Sequence, residues 1–151
     1  LFNRRGLETA GRRVIQHATK TESLASVLMV DCDRLKGIND EFGHGAGDDA
    51  LRFLADTLIA STRESDVVAR VGGDEFVLVL ADTDVAEANR VLERVEAAFD
   101  IEMEARGYNA SLSIGSAQIS PDARDLRTLV ARADEAMYLR KVSKRSSSLA
   151  S

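Results

Sequence analysis

Cysteine, proline and tryptophan are almost absent from this sequence of 151 residues, which has one Cys, one Pro and no Trp. The single cysteine, Cys32, cannot form an internal disulfide, and this usage is typical of a reducing, cytoplasmic compartment. No uninterrupted apolar stretch reaches the roughly 18 residues of a membrane span, and no secretory signal opens the chain. We therefore predict a cytoplasmic domain that makes no direct contact with a membrane.

Positive charge is not in excess either. Lys and Arg number 20 against 25 Asp and Glu, for a net charge of −5. This balance argues against nucleic acid as a partner, but a small phosphorylated ligand needs only local positive charge. The length and the 44% hydrophobic content suit one domain over 1–151, with residues 144–151 predicted as a tail or linker. Because the chain begins with Leu1 rather than methionine, we interpret it as part of a larger multidomain protein.

The apolar periodicity changes several times along the chain. It predicts helices around 7–18, 51–58, 85–99 and 126–137, and strands around 27–30, 67–71, 76–80 and 112–119. This order contains the βαββαβ unit of a ferredoxin-like fold in the α+β class. We expect a mixed, mostly antiparallel sheet with helices on one or both faces.

Two aspartates end the first predicted strand, 27–30. Because side chains alternate along a strand, Asp31 and Asp33 point to one face and Cys32 to the other. A carboxylate there is costly unless it pairs with a cation or caps a helix. The alternative interpretation is that one aspartate caps a short helix around Ile38 and that the other is solvated.

Two further acids, Asp74 and Glu75, lie on the predicted hairpin turn. The preceding Gly72-Gly73 pair can adopt positive φ and permits close approach of a ligand. A solvated loop is the alternative, but in a βαββαβ sheet the hairpin strands neighbour the first strand, so the two acidic sites can converge. Converging carboxylates repel one another unless a divalent cation lies between them, and Mg²⁺ with substrate phosphates suits such ligands. Two-metal nucleotidyl transfer requires this arrangement.

A third group of residues suits a nucleotide. Lys36 lies just beyond the acidic strand, where the backbone N–H groups of Arg34 and Leu35 would open a helix and face a phosphate. Asn39 and Asp48 can together recognise the guanine edge, because its N1–H and N2 amine are donors that a carboxylate accepts. The alternative role of Asp48 is that of a helix N-cap, and both roles are compatible.

Five short blocks occur in order along the chain: Asn3-Arg4-Arg5, the stretch from Val30 to Asp48, Gly72-Gly73-Asp74-Glu75-Phe76, Ser113-Ile114-Gly115 and the stretch from Ala133 to Tyr138. In their order and spacing, the blocks make the chain resemble the GGDEF domain of diguanylate cyclases over essentially its whole length. The resemblance implies a fold like that of nucleotide cyclases and polymerase palms. It also implies the condensation of two GTP into cyclic di-GMP, with release of two pyrophosphates, by an antiparallel homodimer that an upstream sensory domain controls.

The resemblance also implies residue roles. Asp31, the carbonyl of Cys32 and Asp74 would hold Mg²⁺, with Mn²⁺ as a possible substitute, and Asp74 would activate the 3′-hydroxyl beside Glu75. Asn39 and Asp48 would read guanine. The triphosphate would be bound by the backbones of Arg34 and Leu35 and by three basic side chains: Lys36, Lys141 and Arg145.

An inhibitory product site is implied by Arg63 and Asp66, which form an Arg-x-x-Asp at the family's distance before the glycine pair. Arg94 on the following helix lies near the position of a further family arginine. Arginine can bind O6 and N7 of guanine while Asp66 accepts from N1–H. A solvated loop or a surface salt bridge of little energy is the alternative.

Two other functions are compatible with parts of the sequence. A non-catalytic receptor would bind cyclic di-GMP through Arg63 and Asp66, or GTP at the front site, but it has no need of the metal ligands Asp31 and Asp74. An unrelated ferredoxin-like interaction module would leave the converging acids unexplained.

Overall fold

The computed structural model describes the backbone of residues 1–150 and the side chains of residues 1–144. Its helices are α1 (Arg4–Gly6), α2 (Arg12–Thr21), α3 (Leu35–Phe42), α4 (His44–Ala60), α5 (Val85–Arg106) and α6 (Leu126–Ala150), with a π-helical turn at Leu7–Gly11. Its strands are β1 (Ala25–Asp33), β2 (Val67–Arg70), β3 (Glu75–Ala81) and β4 (Ser111–Gln118).

The four strands form one sheet in the order β2-β3-β1-β4, and each neighbouring pair is antiparallel. This is the strand order of the predicted ferredoxin-like fold, which is thereby confirmed. The parallel component among the described residues is an isolated bridge between Phe2 and Ala69 at the β2 edge. β1 therefore lies in the interior of the sheet, beside the hairpin that carries the second pair of acids.

Helices cover both faces of the sheet. Along β1, Leu28, Val30 and Cys32 pack into one core with α3, α4 and α5. Val27 and Met29 pack into the other core with α2 and α6. Because both faces are buried, β1 has a continuous apolar run rather than an alternating one. The alternation places the side chain of Asp31 on the α6 face.

The first predicted helix, around 7–18, is helical throughout, as a π-helical turn at Leu7–Gly11 followed directly by α2. Gly11 lies where this helical segment meets the sheet. A Cβ on Gly11 would lie 3.2 Å from a methyl group of Val79. The absence of a side chain lets this turn approach β3 closely.

The helix before β2 begins earlier than the sequence indicates. α4 begins at His44 with Gly43 as its N-cap, and Gly43 has φ +99°. Gly45 and Gly47 are inside the helix, which therefore extends seven residues before the predicted start at 51. The N-cap role considered for Asp48 is also wrong, because Asp48 lies more than one turn into the helix.

The last helix is longer than its apolar stripe. α6 runs from Leu126 to Ala150 and so includes most of the segment that was predicted as a tail or linker. In the described part of the chain, no helix is long and apolar enough to cross a membrane.

Candidate active site

Three carboxylates meet where β1 ends beside the β2–β3 turn. One oxygen each from Asp31, Asp74 and Glu75 lies within 4.8 Å of the other two. Two backbone contacts produce the convergence: Asp31 is directly opposite Glu75 in the β1–β3 register, and the N–H of Cys32 donates to the carbonyl of Asp74 at 2.9 Å. The predicted meeting of the two acidic segments is confirmed.

The cluster is electrostatically costly without a cation. Like charges directly opposite on antiparallel strands destabilise the pair, and Asp31 and Glu75 are such a pair. The Oδ1 atom of Asp31 is buried and has no hydrogen-bond partner among the described residues. Burial, followed by the charges of Asp74, Glu75 and Asp33, raises the pKa of Asp31 to about 6. A buried carboxylate oxygen without a hydrogen-bond partner, on a residue of an acidic cluster, is one that a divalent cation would satisfy.

Asp33 belongs to a neighbouring contact rather than to this cluster. Its carboxylate accepts a hydrogen bond from the Oγ of Ser113 and lies 3.5 Å from the Nζ of Lys141 on α6. α3 begins after Arg34, and no described side chain caps that helix. The alternative interpretation, in which one of the two aspartates caps the helix around Ile38, is therefore wrong.

Cys32 lies on the opposite face of β1 from the acids, as predicted. Its side chain is almost fully buried, and burial with the nearby carboxylates raises the pKa of its thiol to about 12. The thiol is consequently neutral and cannot be an anionic ligand. Metal ligation by the Cys32 carbonyl stays a prediction.

Most of the residues expected at the triphosphate follow the end of β1 or lie beside it. Arg34 has φ +68°, and this left-handed residue turns the chain directly from β1 into α3. α3 therefore begins at Leu35, two residues after the end of the strand that carries Asp31. Lys36 is exposed on this helix, and Lys141 lies beside Asp33. The Arg145 side chain is outside the described residues.

The two residues expected at guanine are tied together through Gly47. The side-chain oxygen of Asn39 accepts from the N–H of Gly47 at 2.7 Å, one residue before Asp48. A Cβ on Gly47 would lie 2.7 Å from that oxygen, so glycine is required for this contact. The side-chain NH₂ group of Asn39 has no hydrogen-bond partner in the described part of the chain and can donate to a ligand.

Asp48 is exposed and lines a cavity of about 390 Å³, within the range of small-molecule sites. Leu51, Arg70, Phe76 and Leu1 also line it. Sequence reasoning assigned Leu51 to the apolar stripe of α4 and did not single out Arg70. Arg70 could have been predicted from the sequence, because a basic residue at the end of a strand, next to a glycine turn, does not pack into a hydrophobic core.

The glycine pair differs from the expectation. Neither Gly72 nor Gly73 has positive φ, and the glycines with positive φ among the described residues are Gly43 and Gly107. A Cβ on Gly73 would meet no described atom within 4 Å. The missing side chain therefore leaves the space before Asp74 open. Of the two properties expected of the glycine pair, the structure is consistent with close approach of a ligand and not with positive φ.

The Arg63 and Asp66 side chains do not contact each other in the orientation they have here. Asp66 accepts from the backbone N–H groups of Arg63 at 2.8 Å and Ala81 at 3.0 Å, while Arg63 lies 3.8 Å from Glu87 on α5. Arg94 is exposed on α5 and lines a cavity of about 410 Å³ with Glu87 and Arg90. Asp66 thus has a structural role, and Arg90 is an additional cation that the sequence reading missed.

Replacing Asp31 by asparagine is expected to raise the thermal stability of the metal-free protein at neutral pH. The pKa of Asp31 is higher in the folded state than in the unfolded state. The contribution of this group to the free energy of unfolding is therefore fully present below about pH 4 and is lost as the pH rises through about 6. The asparagine side chain does not ionise, so the gain over the wild type appears across that interval and is largest above it. Thermal denaturation with a chelator from about pH 4 to pH 8 measures this difference.

The exposed Asp56 on α4 provides the matched control, Asp56→Asn, for the general effect of removing one negative charge. Mg²⁺ should then stabilise the wild type more than Asp31→Asn, because a ligand that binds only the folded state raises its stability. If the pH dependence of Tm were the same in the wild type, Asp31→Asn and Asp56→Asn, ionisation of Asp31 would not destabilise the metal-free fold.

Comparison with known proteins places these features in a family. The family model "Diguanylate cyclase, GGDEF domain" matches residues 1–147. Diguanylate cyclase DosC of Escherichia coli (strain K12) is 39% identical over 146 residues, which are 93% of this chain and 31% of the relative. The chain thus spans about a third of the length of that curated relative.

Solved structures agree with the sequence comparison. The active GGEEF domain of a diguanylate cyclase from Vibrio cholerae superposes with a TM-score of 0.85 at 31% identity, covering 95% of this chain and 92% of that one. A second structure, described as a novel interaction mode between a microbial GGDEF domain and cyclic di-GMP, has a TM-score of 0.79 at 34% identity. It covers 93% of this chain and 85% of the other.

Proposed function

Because the chain belongs to the GGDEF domain family of diguanylate cyclases, we propose that it condenses two GTP into cyclic di-GMP with release of two pyrophosphates. The observation that carries this proposal is the acidic cluster of Asp31, Asp74 and Glu75 with its orphaned, buried oxygen. A module that only binds nucleotide or protein has no reason to retain this destabilising arrangement. A non-catalytic receptor is the alternative that the experiment below distinguishes.

The carboxylates fit a divalent cation by their chemistry. Their oxygens are hard ligands, they come from two adjacent elements, and Asp74 is exposed to an incoming substrate. We propose Asp31 and Asp74 as ligands with the carbonyl of Cys32, and Glu75 as a further oxygen donor. When bound, Mg²⁺ or Mn²⁺ would neutralise the phosphates and lower the pKa of the attacking hydroxyl.

The chain's own residues would bind and orient GTP around this cluster. Asn39 and Asp48 hold the guanine edge, while the start of α3, Lys36 and Lys141 face the triphosphate. Lys141 is already ordered beside the site by Asp33. Arg145 is proposed on family resemblance alone. These groups stabilise the negative charge that develops on the phosphates as pyrophosphate leaves.

The bond changes require a second copy of the domain. The 3′-oxygen of one GTP forms a bond to the α-phosphorus of the other, and the bond from that phosphorus to the β-phosphate oxygen breaks. The proton of the 3′-hydroxyl passes to Asp74. In the second step, the 3′-oxygen of the other nucleotide attacks the remaining α-phosphorus, the second pyrophosphate leaves, and the ring of cyclic di-GMP is closed. Since each subunit holds one GTP, we propose an antiparallel homodimer whose rate depends on how an upstream sensory domain orients the two subunits.

Chromatography of nucleotides after incubation with GTP and Mg²⁺ at high protein concentration tests the proposal. Cyclic di-GMP and pyrophosphate should appear, and the rate should rise more steeply than in proportion to protein concentration, as dimerisation requires. Binding of GTP or cyclic di-GMP without turnover at any concentration would favour the receptor instead.

Replacing Asp48 by alanine is expected to reduce the preference for GTP over ATP by about 10- to 100-fold, because the carboxylate accepts from two donors that adenine does not present as a pair. The ratio of kcat/KM for the two nucleotides measures this preference. Asp49→Ala is the matched control, since Asp49 is the adjacent acid and lies 3.6 Å from Arg52. Undiminished discrimination in Asp48→Ala would place base recognition elsewhere.

We also propose that cyclic di-GMP inhibits the enzyme at Arg63, Asp66 and Arg94. Arg63 can leave Glu87 at little cost, because both side chains of this ion pair are about half exposed or more. Each Asp66 oxygen accepts one backbone N–H and keeps a second lone pair for guanine. Arg94 and the neighbouring Arg90 supply charge for the phosphates.

Arg63→Ala is expected to raise the cyclic di-GMP concentration for half-inhibition by about 10-fold or more, the value of one bidentate contact to guanine. The uninhibited rate should be unchanged. Arg127→Ala, an exposed arginine on α6, controls for loss of charge. If inhibition were as strong in Arg63→Ala as in the control, the product site would not include Arg63.

A further inference from the structure

The N-terminal segment is paired with the outer edge of the sheet. The N–H of Phe2 donates to the carbonyl of Val68, and the N–H of Arg70 donates to the carbonyl of Phe2, each at 2.9 Å. These bonds form the parallel bridge between Phe2 and Ala69. The segment is thus held by β2, the strand that leads into the glycine turn.

Two neighbouring residues set the direction in which the segment leaves β2. Asn3 is the N-cap of α1, and its side-chain oxygen accepts from the N–H of Gly6 at 2.8 Å. A Cβ on Gly6 would lie 2.8 Å from the ring of Phe2, so glycine lets the first helical turn fold over that ring. The backbone of Arg4 is therefore placed by contacts on both sides.

From this position Arg4 reaches the signature turn. Its guanidinium donates to the carbonyl of Val71 at 2.8 Å. Arg70 donates to the next two carbonyls, from Nε to Gly72 at 3.3 Å and from Nη2 to Gly73 at 2.7 Å. Two arginines thus bind three consecutive carbonyls, and the next residue is Asp74.

The other side of the turn is also fixed by backbone bonds. The carbonyl of Asp74 accepts from the N–H of Cys32, and the N–H of Val71 donates to the carbonyl of Glu75 at 3.0 Å. The turn from Val71 to Glu75 is therefore held between β1 on one side and the arginines on the other. Without an arginine contact, one side of the turn is free to move, and the Asp74 carboxylate moves with it.

We propose that Arg4 is a positioning residue, which couples the N-terminal segment to the signature turn and so places Asp74 for the reaction. The inference rests on the proposed function and deepens it. Among the described residues, Arg4 makes no hydrogen bond or ion pair with Asp31, Asp74 or Glu75, and it acts through the carbonyl of Val71. A displacement of the N-terminal segment along β2 would be transmitted to the acidic cluster by this contact.

Arg4→Ala tests the proposal, with Arg5→Ala as the matched control. Arg5 is the next residue, carries the same charge, is exposed and has no side-chain hydrogen bond among the described residues. We expect kcat to fall by about 10-fold in Arg4→Ala while KM for GTP changes less than about twofold, because misplacement of a catalytic group reduces chemistry more than binding. Arg4→Lys, which keeps one donor, should recover part of the rate, and Arg5→Ala should match the wild type.

Amide hydrogen exchange provides a readout that does not depend on turnover. The Val71 and Cys32 amides, whose bonds close the turn, should exchange about five- to tenfold faster in Arg4→Ala than in Arg5→Ala, the effect of one lost hydrogen bond. Identical kcat and identical exchange in the two variants would overturn the proposal. If the wild type made no cyclic di-GMP, the proposed function would fail, and the exchange rates alone would still decide the role of Arg4.

Discussion

Asp74→Asn is expected to reduce the conversion of GTP into cyclic di-GMP by about 10³-fold or more, the loss typical when a central charged group of an active site is removed. Asparagine has nearly the shape of aspartate, but it carries no charge for a cation and cannot accept the 3′-hydroxyl proton. Asp74 is exposed and lies in an acidic cluster, so its replacement relieves repulsion and should leave the fold intact. Release of pyrophosphate from GTP and Mg²⁺ measures the effect.

Asp56→Asn is the control for this experiment, because it removes an equal charge from an exposed site on α4. It should retain the wild-type rate. Thermal denaturation should show that Asp74→Asn is at least as stable as the wild type in the absence of metal. Turnover in Asp74→Asn comparable to that of the control would remove Asp74 from the mechanism.

Gly115→Ala is expected to destabilise the fold by about 3 kcal/mol, the upper end of ordinary overpacking, and to lower Tm by roughly 10 °C. Gly115 lies on β4 opposite Met29, where the backbone of α6 crosses the sheet. A Cβ there would overlap the carbonyl oxygen of Ala133 and the amide nitrogen of Met137, and it would lie 2.7 Å from the Met137 Cα. Backbone atoms of a helix cannot rotate away, so α6 must separate from the sheet.

Gly37→Ala is the matched comparison, and we expect it to leave the free energy of unfolding unchanged or to raise it. A Cβ at this position on α3 would meet no described atom within 4 Å, and alanine favours a helix over glycine by up to about 1 kcal/mol. Chemical denaturation of both variants gives the two free energies of unfolding. An unfolding free energy for Gly115→Ala equal to that of the wild type would show that α6 does not approach β4 so closely. Because Lys141, which we propose as a triphosphate ligand, is on α6, Gly115→Ala should also weaken GTP binding.

Much of the fold could be predicted because its signals are local. The apolar run of 27–30 identified β1, because a strand buried on both faces has consecutive apolar residues. The periodicity of 85–99 identified α5, because a helix buried along one side has apolar residues at helical spacing. Boundaries were less accurate. α4 begins before the predicted position because Gly45 and Gly47 are tolerated inside a helix, and Gly47 is needed there for the contact with Asn39.

The residue types, their spacing and the alternation of side chains along a strand were sufficient to identify the converging acids and the family, and to predict residues for the nucleotide. Only the tertiary structure decided how the acids pair: Asp31 faces Glu75, whereas Asp33 is bound by Ser113 and Lys141. It also decided that Arg4 and Arg70 hold the turn before Asp74. The physical reason is that sequence patterns report whether a side chain is buried or exposed. A contact across 67 positions, such as that of the exposed Arg4 side chain with the carbonyl of Val71, arises only when the strands have paired.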